Sequence, residues 1–249
     1  MNNNLTIHRD KLFAFTGWLR NGFSLLRHNW LMSLLIMFVT GIAGVALLVL
    51  GVLLNRVIHS SVLIFVLAAL ISAILALAIA LLVAVTERNE QPNKFKYLIS
   101  IVWHAHSFRI VLIYLLLLLG VSLGGSLLYF QFPQHEFAIS IIIELLLFVL
   151  QILSFIVLPL NILTKGTIKP FHVFAYGLQI LAKNILSMVI LIAVLFLALS
   201  IATSIASLLT QFIDKFALII YVFEVWVLIT VLVFSCLTAV KHSITPIDN

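Results

Sequence analysis

The chain has 249 residues, 64% of them hydrophobic and only 9% charged, with a mean hydropathy of +1.28. That excludes a water-soluble globule, whose surface needs roughly a quarter of its residues charged, and it selects a protein whose outside is met by lipid. The formal net charge of +6 comes without a solvated basic domain, so it argues for contact with anionic headgroups and against a nucleic-acid ligand.

The lead carries Arg9, Lys11, Arg20 and Arg27, and its stretch 12–29 is aromatic and amphipathic. A first apolar run at 31–54 ends before Arg56, and a second follows at 62–85. A basic loop with Arg88, Lys94 and Lys96 leads into another aromatic stretch, 95–108, and after Arg109 a third run covers 110–131. Beyond the Pro133 to Glu136 turn, a fourth occupies 137–163. Lys165 and Lys169 precede a third amphipathic stretch, 170–183, which opens on Pro170, a residue suited to the first helical turn because it has no N–H to leave unpaired there. The last two runs lie at 184–209 and 216–240, separated by Lys215 and followed by Lys241. Each run is continuous and rich in Leu, Ile and Ala, long enough to cross about 30 Å of hydrocarbon as a helix and lacking the alternation of a barrel strand. The expected fold is all-α and polytopic, a single transmembrane domain of six spans. The first run is too long for a signal-peptide core, so it is read as a retained span.

Orientation follows from where the cations fall. Four Lys or Arg precede the first span, four lie between the second and third, three between the fourth and fifth, and one follows the sixth; only Arg56 and Lys215 lie on the other side. This bias in short loops predicts that both termini face the cytoplasm.

The three amphipathic stretches suggest an internal repeat, each an interfacial helix followed by two spans. Residues 23–29 align with 178–184, matching Leu26 with Leu181 and Asn29 with Asn184, while Ser107 takes the Asn position in the middle copy. Trp18, Phe23, Trp30, Trp103, Phe174 and Tyr176 are expected at headgroup depth, with Arg20, Arg27, Lys94, Lys96, Arg109, Lys165, Lys169 and Lys183 reaching lipid phosphates. Small residues cluster in the odd-numbered spans: Gly41, Ala43 and Gly44; Gly120, Ser122, Gly124 and Gly125; Ser200, Ala202, Ser204 and Ala206. Small side chains let helices approach closely in lipid, which predicts that the odd spans form the packed centre.

Two acids lie inside apolar runs, Glu144 in the fourth and Glu224 in the sixth. An acid in hydrocarbon costs a few kcal/mol unless it is neutral, paired or wetted. Both lie roughly 10–12 Å in from the external ends of their spans at 1.5 Å per residue, which makes them the candidate polar site. Either they serve a proton, cation or polar substrate, or they hydrogen-bond Tyr221, Ser140, Gln151 or a neighbouring hydroxyl and help helices associate. His104 and His106 are two residues apart, a spacing that divides them between opposite helix faces, so no metal site is expected. Cys236 is the only cysteine, which rules out an intrachain disulfide. No phosphate-binding loop, nucleophile elbow or zinc-peptidase motif occurs, so no enzymatic activity and no cofactor are expected.

The run Gly17-Trp18-Leu19-Arg20-Asn21-Gly22-Phe23-Ser24-Leu25-Leu26, followed by Asn29-Trp30, together with aromatic segments feeding paired spans, resembles the bacterial six-span inner-membrane proteins of the YciC type. It also resembles the membrane domain attached to some glycerophosphodiester phosphodiesterases. The resemblance implies a bacterial cytoplasmic-membrane protein; it does not bring the phosphodiesterase activity, because no such catalytic domain is present in this sequence. The expected role is that of a non-enzymatic scaffold, accessory or lipid-organising protein, partnered by membrane lipids and by another membrane protein or a second copy. The alternative is a small proton- or cation-linked transporter or channel using Glu144 and Glu224.

Overall fold

Bilayers offer no water to backbone N–H and C=O groups, so each apolar run must close its hydrogen bonds within itself, and a helix does this. The computed structural model describes residues 5–8, 14–58, 61–86, 105–165, 167–210 and 217–246. These form helices α1 (Ala14–Ile58), α2 (Ser61–Thr86), α3 (Ala105–Gln131), α4 (Glu136–Leu163), α5 (Pro170–Thr210) and α6 (Ala217–Ser243), with a short 3-10 turn, Pro133–His135, between α3 and α4. All six are long and apolar enough to cross a membrane. The first five expected spans fall within them, the sixth does so from residue 217 on, its first residue lying outside the described residues, and α5 begins at the expected Pro170.

Two of the expected interfacial helices are continuous with their spans. α1 and α5 run 45 and 41 residues, far more than the roughly 20 needed to cross. Each is broken at one residue with non-helical backbone: Asn29 (φ −116°, ψ 20°) and Asn184 (φ −116°, ψ 15°). At both breaks the Asn side-chain amide donates to a carbonyl one turn earlier, Asn29 Nδ2 to Leu25 O at 3.1 Å and Asn184 Nδ2 to Ile180 O at 3.2 Å. A short amide does this well because it can reach backbone acceptors that the distorted turn presents to it. These are the two residues that the expected internal repeat would superpose. The middle stretch, 95–108, lies mostly outside the described residues, as do Lys94, Lys96 and Trp103, and the side chain of Ser107 is not among those described.

Helix neighbours follow a cyclic order. Each odd helix packs against the even helix that follows it and the even helix that precedes it in the cycle: α1 against α2 and α6, α3 against α4 and α2, α5 against α6 and α4. The even helices α2, α4 and α6 also touch one another, and α1 touches α5. The centre is thus built from the even helices, which corrects the expectation drawn from the small residues. Burial agrees for α2 and α6, with 39% and 56% of their apolar stretches buried against 17% for α1 and 28% for α3, while α4 and α5 are equal at 33%.

Small residues failed as a guide because their number says nothing about the face they occupy. A side chain added at Gly41, Gly44, Gly120 or Gly124 would meet nothing within 4 Å, and Ala43, Ser200 and Ser204 are exposed. Ser122 and Gly125 are buried, while the side chains of Ala202 and Ala206 lie outside those described. Close approach is provided by Gly51 of α1 against Leu67 of α2 and Gly125 of α3 against Ile143 of α4, by Ala69, Ala76, Ala80 and Ala84 on one flank of α2, all buried, and by Gly22 and Gly177 in the lead-in segments. Gly22 lies against Val231 and Ser235 of α6; Gly177 lies against Leu153 and Val157 of α4.

These two crossings share a register. Gly22 to Gly177 is a step of 155 residues, as is Asn29 to Asn184, and on the facing helices Leu153 to Val231 and Val157 to Ser235 are both steps of 78. A step of two units is therefore close to twice a step of one.

The chain ends meet. Strands β1 (Leu5–Ile7) and β2 (Ile244–Pro246) pair antiparallel, with Ile7 opposite Ile244. His8 N donates to Ser243 O at 2.9 Å, Lys183 Nζ to Ile7 O at 2.6 Å, and Asn184 Nδ2 to Ser243 Oγ at 3.1 Å. The α5 break, the N-terminal strand and the end of α6 thus form one knot at one end of the bundle. At the same end α4 closes on Thr164, whose hydroxyl donates to Leu160 O at 2.9 Å, and on Lys165, whose φ of 49° ends the helix in the left-handed region.

Candidate functional site

The two membrane-embedded acids lie in different surroundings. Glu144 is exposed on the outer side of α4, among exposed Ile141, Ile142, Leu145 and Phe148. Glu224 is half-buried in a cleft between α5 and α6, and its Oε2 accepts a hydrogen bond from Thr203 Oγ1 of α5 at 3.4 Å. The cleft has a volume of about 200 Å³ and is open on one side. Leu195 and Ala198 of α5, Phe223, Val227, Leu228 and Val231 of α6, and Phe23 of α1 supply its other walls.

Register alone does not explain the difference, because Leu146, the α4 position in step with Glu224, is exposed as well. By the 78-residue step, Glu224 corresponds to Leu146, and Glu144 lies two residues before that position. Two residues change depth by only about 3 Å but rotate a side chain by some 200°. Equal depth, all that counting along a span can establish, therefore left the face undetermined. One more step back from Leu146 reaches Ala68, which is exposed.

The offered partners also resolve. Gln151 is occupied elsewhere: Tyr114 of α3 donates to its Oε1 at 3.2 Å, and its Nε2 donates to Ser154 Oγ at 3.3 Å. The hydroxyl that reaches Glu224 is that of Thr203, a residue that no pattern in the sequence singles out. Its cue is weak, since any hydroxyl on α5 at the right depth would have qualified. The Tyr221 side chain lies outside those described.

Glu144→Leu provides a direct check on the outward position. An acid facing lipid costs a few kcal/mol, so this variant is expected to unfold at a higher temperature than wild type in vesicles, whereas Glu224→Leu, which strips Thr203 of its acceptor, should not gain. Equal gains in thermal unfolding would place both acids in lipid.

Family models, curated proteins and solved structures were compared with this chain. None matches. The site has therefore to be read from its own chemistry.

The residues expected at headgroups divide. Arg20, Arg27, Arg109, Lys165 and Lys169 are exposed, and Trp30 is 54% exposed. Trp18 is a correction: it is 2% exposed, its ring packed in the core. Phe23 is another. Its neighbour Gly22 crosses α6 at Val231 and Ser235, ten and six residues before Lys241, and its own ring lines the Glu224 cleft. The α1 lead-in segment thus dips against α6 below the level of the terminal knot. It does so because the missing Gly22 side chain lets two backbones approach, and an amphipathic pattern cannot show whether an apolar face meets lipid or protein. Lys183 is exposed, but its ammonium is held by the Ile7 carbonyl.

Among the described residues, no three His, Cys, Asp or Glu side chains come together as a metal site. His28, His172 and His242 are exposed. Cys236 is buried in α6.

Proposed function

We propose that this chain is a non-enzymatic protein of the bacterial cytoplasmic membrane, with both termini in the cytoplasm, acting as a scaffold or accessory component that organises anionic lipid around its cationic end. The supporting observation is the pair of Asn-broken helices. Asn29 and Asn184 join lead-in segments with exposed Arg20, Arg27 and Lys169 to their spans, and the terminal knot fixes the second of these junctions. The shared breaks, the matched glycine crossings and the cyclic helix order support an origin in three tandem units of about 78 residues, the layout for which the chain resembles the YciC type.

Charges near a bilayer surface contribute about 1 kcal/mol each toward anionic lipid. In vesicles containing phosphatidylglycerol, the wild type is expected to unfold several degrees above its value in phosphatidylcholine alone, an increment that shrinks in high salt. A variant with Arg20, Arg27, Lys165 and Lys169 all changed to Gln should lose most of the increment. An undiminished increment in that variant would remove the headgroup role.

The second reading is a small proton- or cation-linked transporter. Glu144 and Glu224 do not share a site, but one observation favours Glu224 by itself: it stands in an open cleft with a hydroxyl donor. Proton flux in reconstituted vesicles that vanishes in a folded Glu224→Gln variant and persists in Glu144→Gln would favour this reading.

A further inference from the structure

We propose that the cleft around Glu224 binds a single-chain alkylammonium amphiphile that enters sideways from the bilayer, its ammonium on the carboxylate and its chain along the apolar wall. The proposal does not rest on the headgroup reading, and the cleft meets the cationic α1 lead-in only through the wall residue Phe23, between Arg20 and Arg27. Glu224 lies 19 residues before Ser243, the α6 residue in the terminal knot, or about 28 Å along the helix at 1.5 Å per residue.

The acid belongs to the cleft and not to the repeated scaffold. What holds the helices together recurs: the glycine crossing at Gly22 and Gly177, the Asn break at Asn29 and Asn184. The acid does not, for its register equivalents are Leu146 and Ala68. Its hydrogen bonding is incomplete as well. Thr203 supplies a donor to Oε2, and among the described residues Oε1 has none. A carboxylate in an apolar wall with one long hydrogen bond is poorly compensated, and a cation at hydrogen-bond distance is what would compensate it.

The walls then select the kind of cation. A metal ion such as Ca²⁺ takes six to eight oxygens and Mg²⁺ an octahedral set; among the described residues one carboxylate and one hydroxyl are at hand here. An ammonium needs only acceptors, and the aromatic residues Phe23 and Phe223 are part of the lining, a residue type that tolerates a cation nearby. The remaining lining is aliphatic, which suits a hydrocarbon chain. At about 200 Å³ the cleft is smaller than the roughly 300–1,000 Å³ of drug-sized pockets, so it fits one short chain and not a two-chain phospholipid.

The test uses the full chain in phosphatidylcholine nanodiscs, titrated with octylammonium, octanol or octanoate while thermal unfolding is followed. Octylammonium should raise the unfolding temperature saturably, and octanol and octanoate should not. Glu224→Gln retains an acceptor for Thr203 and should stay folded while weakening octylammonium at least tenfold. Glu144→Gln should leave the titration unchanged. Ala198→Phe, a substitution at an exposed position on the rim, should block the cleft and abolish saturation while Glu224 is still present. Equal responses to octylammonium and octanol would overturn the proposal in favour of an apolar occupant, as would a Glu224→Gln titration matching wild type. Stabilisation by phosphatidylethanolamine nanodiscs that octylammonium cannot add to would assign the cleft to a lipid headgroup and overturn the single-chain occupant. Disappearance of the effect on dilution to monomer would assign it to a second copy.

Discussion

Gly22→Leu is expected to be among the most damaging single substitutions in the chain. Even the first added carbon would collide with Ser235 Oγ and lie 3.1 Å from both Ser235 N and Val231 O. The hydroxyl can rotate away, but the two backbone atoms cannot, so α1 must separate from α6. Overpacking of this kind costs about 1–3 kcal/mol, and more for a branched chain. The crossing lies where α1 is already held through buried Trp18 and Leu26, so lost contact spreads into the core. Gly177→Leu should act the same way but less severely, because an added carbon there meets only side chains, Val157 Cγ2 at 2.6 Å and Leu153 Cδ1 at 3.5 Å. In Gly22→Ala, a second change, Ser235→Ala, should restore part of the loss by removing the hydroxyl, and only part because the backbone contacts stay. Gly120→Leu and Gly124→Leu, which meet nothing within 4 Å, serve as controls. Thermal unfolding in detergent reads all of these; if Gly22→Leu and Gly124→Leu behave alike, the α1 lead-in does not rest on α6.

Asn184→Leu should lower stability by about 1–2 kcal/mol, near the upper end for interhelical hydrogen bonds in membrane proteins. Asn184 is nine-tenths or more buried, and its amide serves both the Ile180 carbonyl of the broken turn and the Ser243 hydroxyl at the end of α6. Leucine would leave that carbonyl without its side-chain donor and let α5 straighten away from the knot. Asn29→Leu should cost less: Asn29 is half-buried and its bond stays within its own helix. Ser243→Ala removes the cross-helix partner together with that hydroxyl's own bond to Ala239 O, and a double-mutant cycle between positions 184 and 243 separates the tie between α5 and α6 from that local loss. A coupling near zero, measured by unfolding in detergent, would mean that the break is shaped by Ile180 alone. Loss of the tie should also speed hydrogen exchange over Ile244–Pro246, because β2 hangs from the same residues.

The place of the break at Asn184 is legible in the sequence, and the reason is local. Asn29 and Asn184 stand at the same step of an alignable pattern, where an amphipathic stretch gives way to an apolar run, and a short amide can serve the backbone only within its own turn. Six spans are equally legible, since the hydrocarbon thickness sets a helix length and backbone hydrogen bonding forbids other answers. Pro170 marks the start of α5 for the same kind of reason.

Everything that depended on which face meets which neighbour was decided by the tertiary structure. Trp18 and Trp30 are both tryptophans near Arg residues, yet one is core and the other is 54% exposed. Glu144 and Glu224 have similar depth, yet one is exposed on α4 and the other is half-buried in a cleft with Thr203. Glycine-rich α3 and α1 read as the centre, and the alanine-flanked α2 with α4 and α6 took it. In water, polar and apolar side chains mark the outside and inside of a helix. In lipid both sides are apolar, so composition sets the number and length of the spans, and only contact between helices assigns the inside.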